Sequence, residues 1–311
     1  MISRPKLTET SVSAALALAT SLALALPAAA AQGADAPTFE KVSGPERIDY
    51  AGKLRMLSQR IPASACNAAA GIGGWEAKGY LSASVGEFDR IMNALEHGDV
   101  FILIRAPETD RRVLERIAQM NDVWHPVRAD MVEMTDQTSK ATSFEQVTYA
   151  VEAAPRLLDI TQALVGDLIG EYADPAELLA TDAVGLDIVG RQRMMPQIVS
   201  KTACMIAEGL DADGARQELA DAMALYELSL TALRDGMPEV GVRPPPTDEI
   251  AAGLAEISAR WQTVRPLLDR VEAGETLTNQ ERETIYSEMN HLTAMMNEVS
   301  ADYAKASRKL L

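Results

Sequence analysis

The strongest constraint on the fold of this chain is that its sequence repeats itself. Residues 48–60 align with residues 186–198 at an offset of 138 positions, and Asp, Gly, Arg, Met and Gln coincide between the two segments. At the same offset Cys66 matches Cys204 and Phe88 matches Tyr226, and Trp124 matches Trp261 at an offset shorter by one residue. Matches spread over about 100 residues indicate a tandem duplication rather than a shared helical composition.

Composition indicates that each copy is helical. The chain has 14 Met but only 4 Phe and 3 Trp, and it is rich in the residues that favour helices over sheets. Pro107 and the capping-box pairs Ser143 with Gln146 and Thr278 with Glu281 mark three helix starts. Periodicity and these signals predict helices near 46–72, 76–97, 108–136 and 143–172, then near 176–209, 212–236, 248–273 and 279–309. We therefore predict an all-α protein of two tandem four-helix bundles.

The short link between the copies predicts how the bundles are arranged. Four alternating helices return the chain to the end of the bundle where it began. Only residues 173–175 separate the predicted helices of the two copies, so the second bundle should rise alongside the first as a dimer within one chain. A helix that continued through 173–175 would instead give bundles placed end to end.

The first 31 residues have the order of a secretory signal peptide. Arg4 and Lys6 precede an apolar run over 14–26, and a string of alanines ends before Gln32. The run is shorter than the roughly 20 residues of a membrane span, although an uncleaved anchor is the alternative. We expect a signal peptide over 1–31, a first domain over 32–173 and a second over 174–311. The mature protein should be soluble in the periplasm, without a direct membrane anchor.

Charge and motifs exclude several classes of function. A formal net charge of -16 argues against binding nucleic acid or anionic membrane surfaces. The 3 histidines share no motif, and no nucleophile, paired-carboxylate or phosphate-loop pattern is present. The methionine pairs are more typical of core packing than of a copper site. We expect neither catalysis nor a metal or other cofactor.

One face of the first helix in each copy is polar where a bundle core should be apolar. We call this face the seam, and its residues are Gly52, Arg55, Gln59 and Cys66 with their counterparts Gly190, Arg193, Gln197 and Cys204. The seam is either a partly solvated surface or the surface on which the two first helices meet. In the second case the glycines would allow close approach of the backbones, and the arginines would face each other.

If the two first helices meet along the seam, the facing arginines predict an anion bound between them, and the two cysteines can form a disulfide. Two guanidinium groups about 5 Å apart at an effective dielectric near 20 repel by about 3 kcal/mol, and an oxyanion between them reverses the sign. Cys66 follows Arg55 by eleven residues, close to three turns, so a bond to Cys204 across the seam is possible in an oxidising compartment. Pro62 and Pro196 lie in the same helices and can kink them.

The segment Ile-Asp-Tyr-Ala-Gly-Lys-Leu-Arg-Met-Leu-Ser-Gln-Arg at 48–60 resembles the signature of the PilJ-type domain. That domain is the N-terminal sensory module of type IV pilus methyl-accepting transducers and is similar to the periplasmic domain of nitrate/nitrite sensor kinases. The second copy keeps the signature over 190–194 and departs from it at Pro196 and Ile198. The resemblance implies four-helix bundles with an anion at the interface, between arginines of the two first helices.

Carried onto this chain, the resemblance implies a periplasmic sensory protein that binds a small oxyanion such as nitrate or nitrite. The ligand-binding residues that it implies are Arg55 and Arg193, and Arg60 is a further matching arginine whose counterpart is Ile198. The seam itself adds Gln59 and Gln197 as amide donors to the ligand, and Gly52 and Gly190 as residues that leave room for it. The relatives carry membrane helices and signalling modules after the sensory domain, so we expect this protein to act through a membrane sensor or transporter. A scaffold protein that binds no ligand is the alternative.

Overall fold

The computed structural model describes residues 43–135, 144–172 and 187–309, and it confirms the all-α prediction. The first repeat contains helices α1 (Gly44–Ala69), α2 (Gly74–His97), α3 (Arg111–Thr135) and α4 (Phe144–Tyr172). In the second repeat residues 187–192 are helical, followed by α5 (Met195–Glu208), α6 (Ala212–Asp235), α7 (Asp248–Glu272) and α8 (Asn279–Lys309). The described residues form no strand, only two isolated β-bridges.

Helix starts follow local capping chemistry. Glu281 accepts the backbone N–H of Thr278 at 2.8 Å while its own N–H donates to the Thr278 hydroxyl at 3.3 Å, which confirms the predicted capping box of α8. Pro107 does not begin α3: Asp110 accepts the backbone N–H groups two and three residues on, at 2.9 and 3.1 Å, so it caps the helix instead. Ser143 lies outside the described residues.

Each bundle has an equivalent buried tryptophan at the centre of its core. In the first repeat the ring centroids of Trp124 and Phe88 are 4.1 Å apart, and in the second those of Trp261 and Tyr226 are 4.7 Å apart. Both indole N–H groups donate at 2.8 Å to a carboxylate, Asp89 and Glu227 respectively, at matched positions. The duplication seen in the sequence is therefore a duplication of core packing as well.

The first bundle is further stabilised by a buried ion pair between Arg47 and Glu108. Arg47 of α1 donates to Glu108 at 3.1 Å, and both side chains are almost fully buried. The same guanidinium donates to the carbonyls of Leu95 at 2.7 Å and Ala106 at 2.5 Å. These bonds fix the start of α1 against the connection between α2 and α3.

The two bundles lie side by side, as predicted, and they meet along α1 and α5. A disulfide joins Cys66 of α1 to Cys204 of α5, and both residues are buried. The contact also includes Tyr286 of α8, whose hydroxyl donates to Ser64 of α1 at 3.3 Å. The predicted link over 173–175 lies outside the described residues.

The first helices of the two repeats differ at their prolines. Helix α1 continues through Pro62, whereas the second repeat turns at Arg193 and Met194, and Pro196 lies in the first turn of α5. The prediction of an unbroken helix over 176–209 is therefore wrong in its described part. Proline suits a first helical turn because its missing N–H would be unpaired there anyway. Among the described residues, no helix is both long and apolar enough to cross a membrane.

Candidate functional site

The seam residues near the helix break bring the two repeats into close contact. A Cβ atom placed on Gly52 would lie 3.2 Å from Nη2 of Arg193. The Arg193 guanidinium thus packs directly over the α1 backbone, and a larger side chain at position 52 would push it away. A Cβ atom placed on Gly190 would lie farther from the same guanidinium, 3.8 Å from Nη2.

Two crossed ion pairs link the repeats at this point. Arg55 Nη1 lies 3.3 Å from Oδ1 of Asp187, and Arg193 Nη1 lies 3.2 Å from Oδ1 of Asp49. Asp49 and Asp187 are matched by the offset of 138, as are the two arginines. The arrangement has the approximate twofold symmetry of a dimer interface, although both halves belong to one chain.

The arginines of these two ion pairs are much more buried than the aspartates. Arg55 and Arg193 are 8% and 5% exposed, whereas the side chains of Asp187 and Asp49 are 42% and 53% exposed. Two guanidinium groups therefore lie inside the interface with two carboxylates at its rim. Burial lowers the pKa of Arg55, the charge of Asp187 opposes that shift, and the positive charges of Arg191 and, more weakly, Arg193 add to it.

The polar seam continues one turn deeper, where the symmetry ends. Gln59 accepts a hydrogen bond at 2.9 Å from Nζ of Lys201, a buried lysine that also pairs with Glu218 at 2.8 Å. Gln197 instead turns into the second bundle and donates to Thr293 at 2.8 Å. The two glutamines therefore do not converge on one point.

Arg60 lies apart from the two paired arginines. Its guanidinium carbon is 4.5 Å from the ring centroid of Tyr80, a cation–π contact. Burial lowers the pKa of Arg60, and Tyr80 and Tyr286 oppose that shift. The structure thus groups Gly52, Arg55 and Arg193 together, and places Gln59, Gln197 and Arg60 in separate surroundings.

Three further residues of this region, Asp49, Asp187 and Lys201, were not predicted from the sequence. The two aspartates carried a usable signal, because they coincide in the repeat alignment six positions before the arginines. Lys201 carried another, as a lone lysine within the apolar stretch of α5 where the first repeat has Ala63. In the described part of the chain, no cluster of three or more His, Cys, Asp or Glu side chains could hold a metal ion.

Comparison with known families identifies the repeated unit. The PilJ family model, described as the N-terminal region of type IV pili methyl-accepting chemotaxis transducers, matches residues 40–149 and again residues 179–287. The two matches together cover more than half of the chain. No curated protein matches the sequence.

Proposed function

Because the chain belongs to the PilJ family of sensory domains, carrying two copies of it, we propose that it is an exported periplasmic sensory protein. In this proposal a small oxyanion such as nitrate or nitrite binds between Arg55 and Arg193, and the signal passes to a membrane sensor or transporter. One observation carries the proposal: two buried guanidinium groups from matched positions face the same interface between the repeats.

Binding would proceed by exchange of anions at the arginines. Asp49 and Asp187 now pair with the guanidinium groups, and both carboxylates are about half exposed. An incoming oxyanion can replace a rim carboxylate because that side chain is already partly hydrated and loses little on release, whereas the guanidinium keeps an anionic partner. The forked guanidinium donates two parallel bonds to a planar or tetrahedral oxyanion, which favours such ligands over halides.

The remaining seam residues would shape the site. Gly52 leaves room for the Arg193 guanidinium, and Gly190 keeps the same side of the site open. Gln59, held by Lys201, offers an amide one turn away. Gln197 and Arg60 would act indirectly, through their contacts with Thr293 and Tyr80.

Coupling to a partner would use the joint between the repeats. Asp187 also binds Arg191 at 2.8 Å, so releasing Asp187 from Arg55 changes the charge pairing at the start of the second repeat. The turn at Arg193 and Met194 follows immediately. An anion held by Arg55 and Arg193 would thereby change the angle between the helical residues 187–192 and α5.

A scaffold that binds no ligand is the second candidate, and one observation favours it. Both guanidinium groups already have carboxylate partners within the chain, so the interface is electrically balanced by itself. The loss of a counterpart for Arg60, where the second repeat has Ile198, points the same way. The two candidates differ in whether any oxyanion stabilises the protein.

A thermal-shift titration with nitrate, nitrite, sulfate and chloride separates these candidates. The sensory proposal expects saturable stabilisation by nitrate or nitrite that is lost in both Arg55→Gln and Arg193→Gln. Arg234→Gln is the matched control, because that arginine forms an exposed ion pair with its neighbour Asp235, within the second repeat. Equal responses to all four anions, or none, would support the scaffold.

A further inference from the structure

A cavity of about 170 Å³ lies in the second repeat, next to the disulfide. Its walls come from α5, the start of α6, the last turn of α7, the connection between α7 and α8, and α8 itself, and Asn67 of α1 completes it. A cavity of about 150 Å³ accommodates a benzene-sized molecule. This space is therefore suited to a small organic molecule rather than to an inorganic ion.

One of the residues that line the cavity has a hydroxyl without a hydrogen-bond partner among the described residues. Ser200 is 2% exposed, and its Oγ has no hydrogen-bond partner in the described structure. A buried polar group left in this way costs about 1–3 kcal/mol. Other polar groups on the wall are engaged, since Asn67 donates to the Ala63 carbonyl at 2.8 Å and Tyr286 donates to Ser64.

The hydroxyl is specific to the second repeat. Its counterpart at the repeat offset is Pro62, which has no polar side-chain atom. A serine whose hydroxyl contributes no internal hydrogen bond gives the fold no advantage over alanine. A ligand that bonds to it would supply the missing partner.

A cation is available beside the same cavity. Arg216 lines it, and its two internal contacts, with the Ala212 carbonyl and Asp213, are both 3.4 Å long. The Asp213 side chain is fully exposed, so water competes strongly for it. Arg282, the other lining arginine, is by contrast held by Glu208 at 2.5 Å.

We propose that this cavity binds a small organic monocarboxylate that carries a second polar atom at its other end. The carboxylate pairs with Arg216, the apolar body packs between Val271 and Ile285, and the second polar atom bonds to the Ser200 hydroxyl. Both aliphatic residues are buried cavity walls. This site is separate from the paired arginines and does not rest on the oxyanion proposal.

Calorimetric titration of the purified protein with 4-hydroxybenzoate tests the proposal. We expect saturable binding, weakened about tenfold in Ser200→Ala and at least tenfold in Arg216→Gln. Ala203→Leu, which fills the cavity from α5, should abolish binding. Arg234→Gln and Arg55→Gln should leave it unchanged, which separates this site from the oxyanion site.

Stability of the same variants supplies a second readout. Without added ligand, Ser200→Ala should be as stable as the parent protein or more stable, because it removes an unpartnered hydroxyl. A purely structural serine would instead lower the melting temperature when replaced. If Ala203→Leu does not fold, the Ser200→Ala and Arg216→Gln variants decide the question.

Three results would overturn the proposal. The first is the absence of saturable binding, and the second is unchanged binding in Ser200→Ala and Arg216→Gln. The third is equal binding of the neutral analogue 4-hydroxybenzyl alcohol, which would remove the role of Arg216 and the carboxylate class with it.

Discussion

The guanidinium of Arg55 lies 3.3 Å from the carboxylate of Asp187, in the other repeat. Its duplicate, formed by Arg193 and Asp49, spans 3.2 Å. Because each pair takes its cation from one repeat and its anion from the other, the interface between the bundles contains two crossed and nearly equivalent ion pairs. The cations are buried and the anions lie at the rim, so the anions are the partners that a ligand can replace.

Removing the rim carboxylates should strengthen oxyanion binding. In a protein carrying both Asp49→Asn and Asp187→Asn, nitrate no longer competes with an internal anion, and we expect its affinity to rise about tenfold. The same protein without nitrate should lose about 1–2 kcal/mol of stability, because two buried guanidinium groups lose their partners. Urea unfolding with and without nitrate measures both effects.

The control for that experiment is Asp235→Asn, which removes an exposed carboxylate paired with Arg234 within the second repeat. It should change neither nitrate affinity nor stability by a measurable amount. Unchanged nitrate affinity in the double aspartate variant would show that the rim carboxylates do not occupy the ligand's position.

The disulfide should contribute strongly to stability. Cys66 and Cys204 are separated by 138 residues, and closing so long a loop restricts the unfolded chain by about 3–5 kcal/mol. Reduction should therefore lower the free energy of unfolding by that amount, measured by urea unfolding with and without a reductant. A protein carrying both Cys66→Ala and Cys204→Ala should be insensitive to the reductant. Equal stability of the oxidised and reduced parent protein would contradict the prediction.

Much of this fold could be predicted because the same sequence pattern occurs twice in the chain. Periodicity and turn signals predicted the helices of both bundles apart from the start of the second repeat, and the eleven-residue spacing of Arg55 and Cys66 placed these two residues on one face. The helix break could not be predicted, because Pro62 and Pro196 look alike locally. Helix α1 continues through Pro62, whereas Pro196 lies in the first turn of α5.

The partners of the arginines could be predicted only in part, because the repeat alignment matches Asp49 with Asp187 but does not assign either carboxylate to an arginine. In a chain with 45 Asp and Glu residues, Asp49 and Asp187 look like ordinary surface charges. Their role depends on the register in which α1 meets the second repeat, which no local pattern specifies. The position of Arg60 over Tyr80 depends in the same way on the packing of α2 against α1.

The ion pair between Arg47 and Glu108 should be essential to the first bundle. Both side chains are almost fully buried, so Glu108→Gln leaves a buried guanidinium without its counter-charge, a loss of about 3 kcal/mol or more. Glu115→Gln, which breaks an exposed pair with Arg111 on α3, should cost less than about 0.5 kcal/mol. Chemical unfolding of both variants checks the contrast, and equal losses would contradict it.

Acid should weaken the start of α8. Hydrogen bonds from Arg270 and from the Thr278 backbone and hydroxyl lower the pKa of Glu281 to about 2, from an ordinary value of 4.5. A carboxylate with a lowered pKa stabilises the folded protein fully above its unfolded value, and that contribution is lost as the pH falls from 4.5 toward 2. Glu281→Gln should therefore lower stability at pH 7 and flatten its decline between these two values.

Urea midpoints at pH 7 and pH 3 measure this difference, with Glu283→Gln on the same helix as control. The gap between the parent protein and Glu281→Gln should be wider at pH 7 than at pH 3. A constant gap would mean that Glu281 acts through packing rather than through its charge.

The stoichiometry of nitrate binding tests the central claim most directly. If the two repeats together form one site, isothermal titration calorimetry should give one nitrate per chain, and either Arg55→Gln or Arg193→Gln alone should abolish the heat of binding. Two nitrates per chain, or binding that survives in one of the single variants, would show that the repeats act as independent sites. No binding in the parent protein would contradict the sensory account altogether.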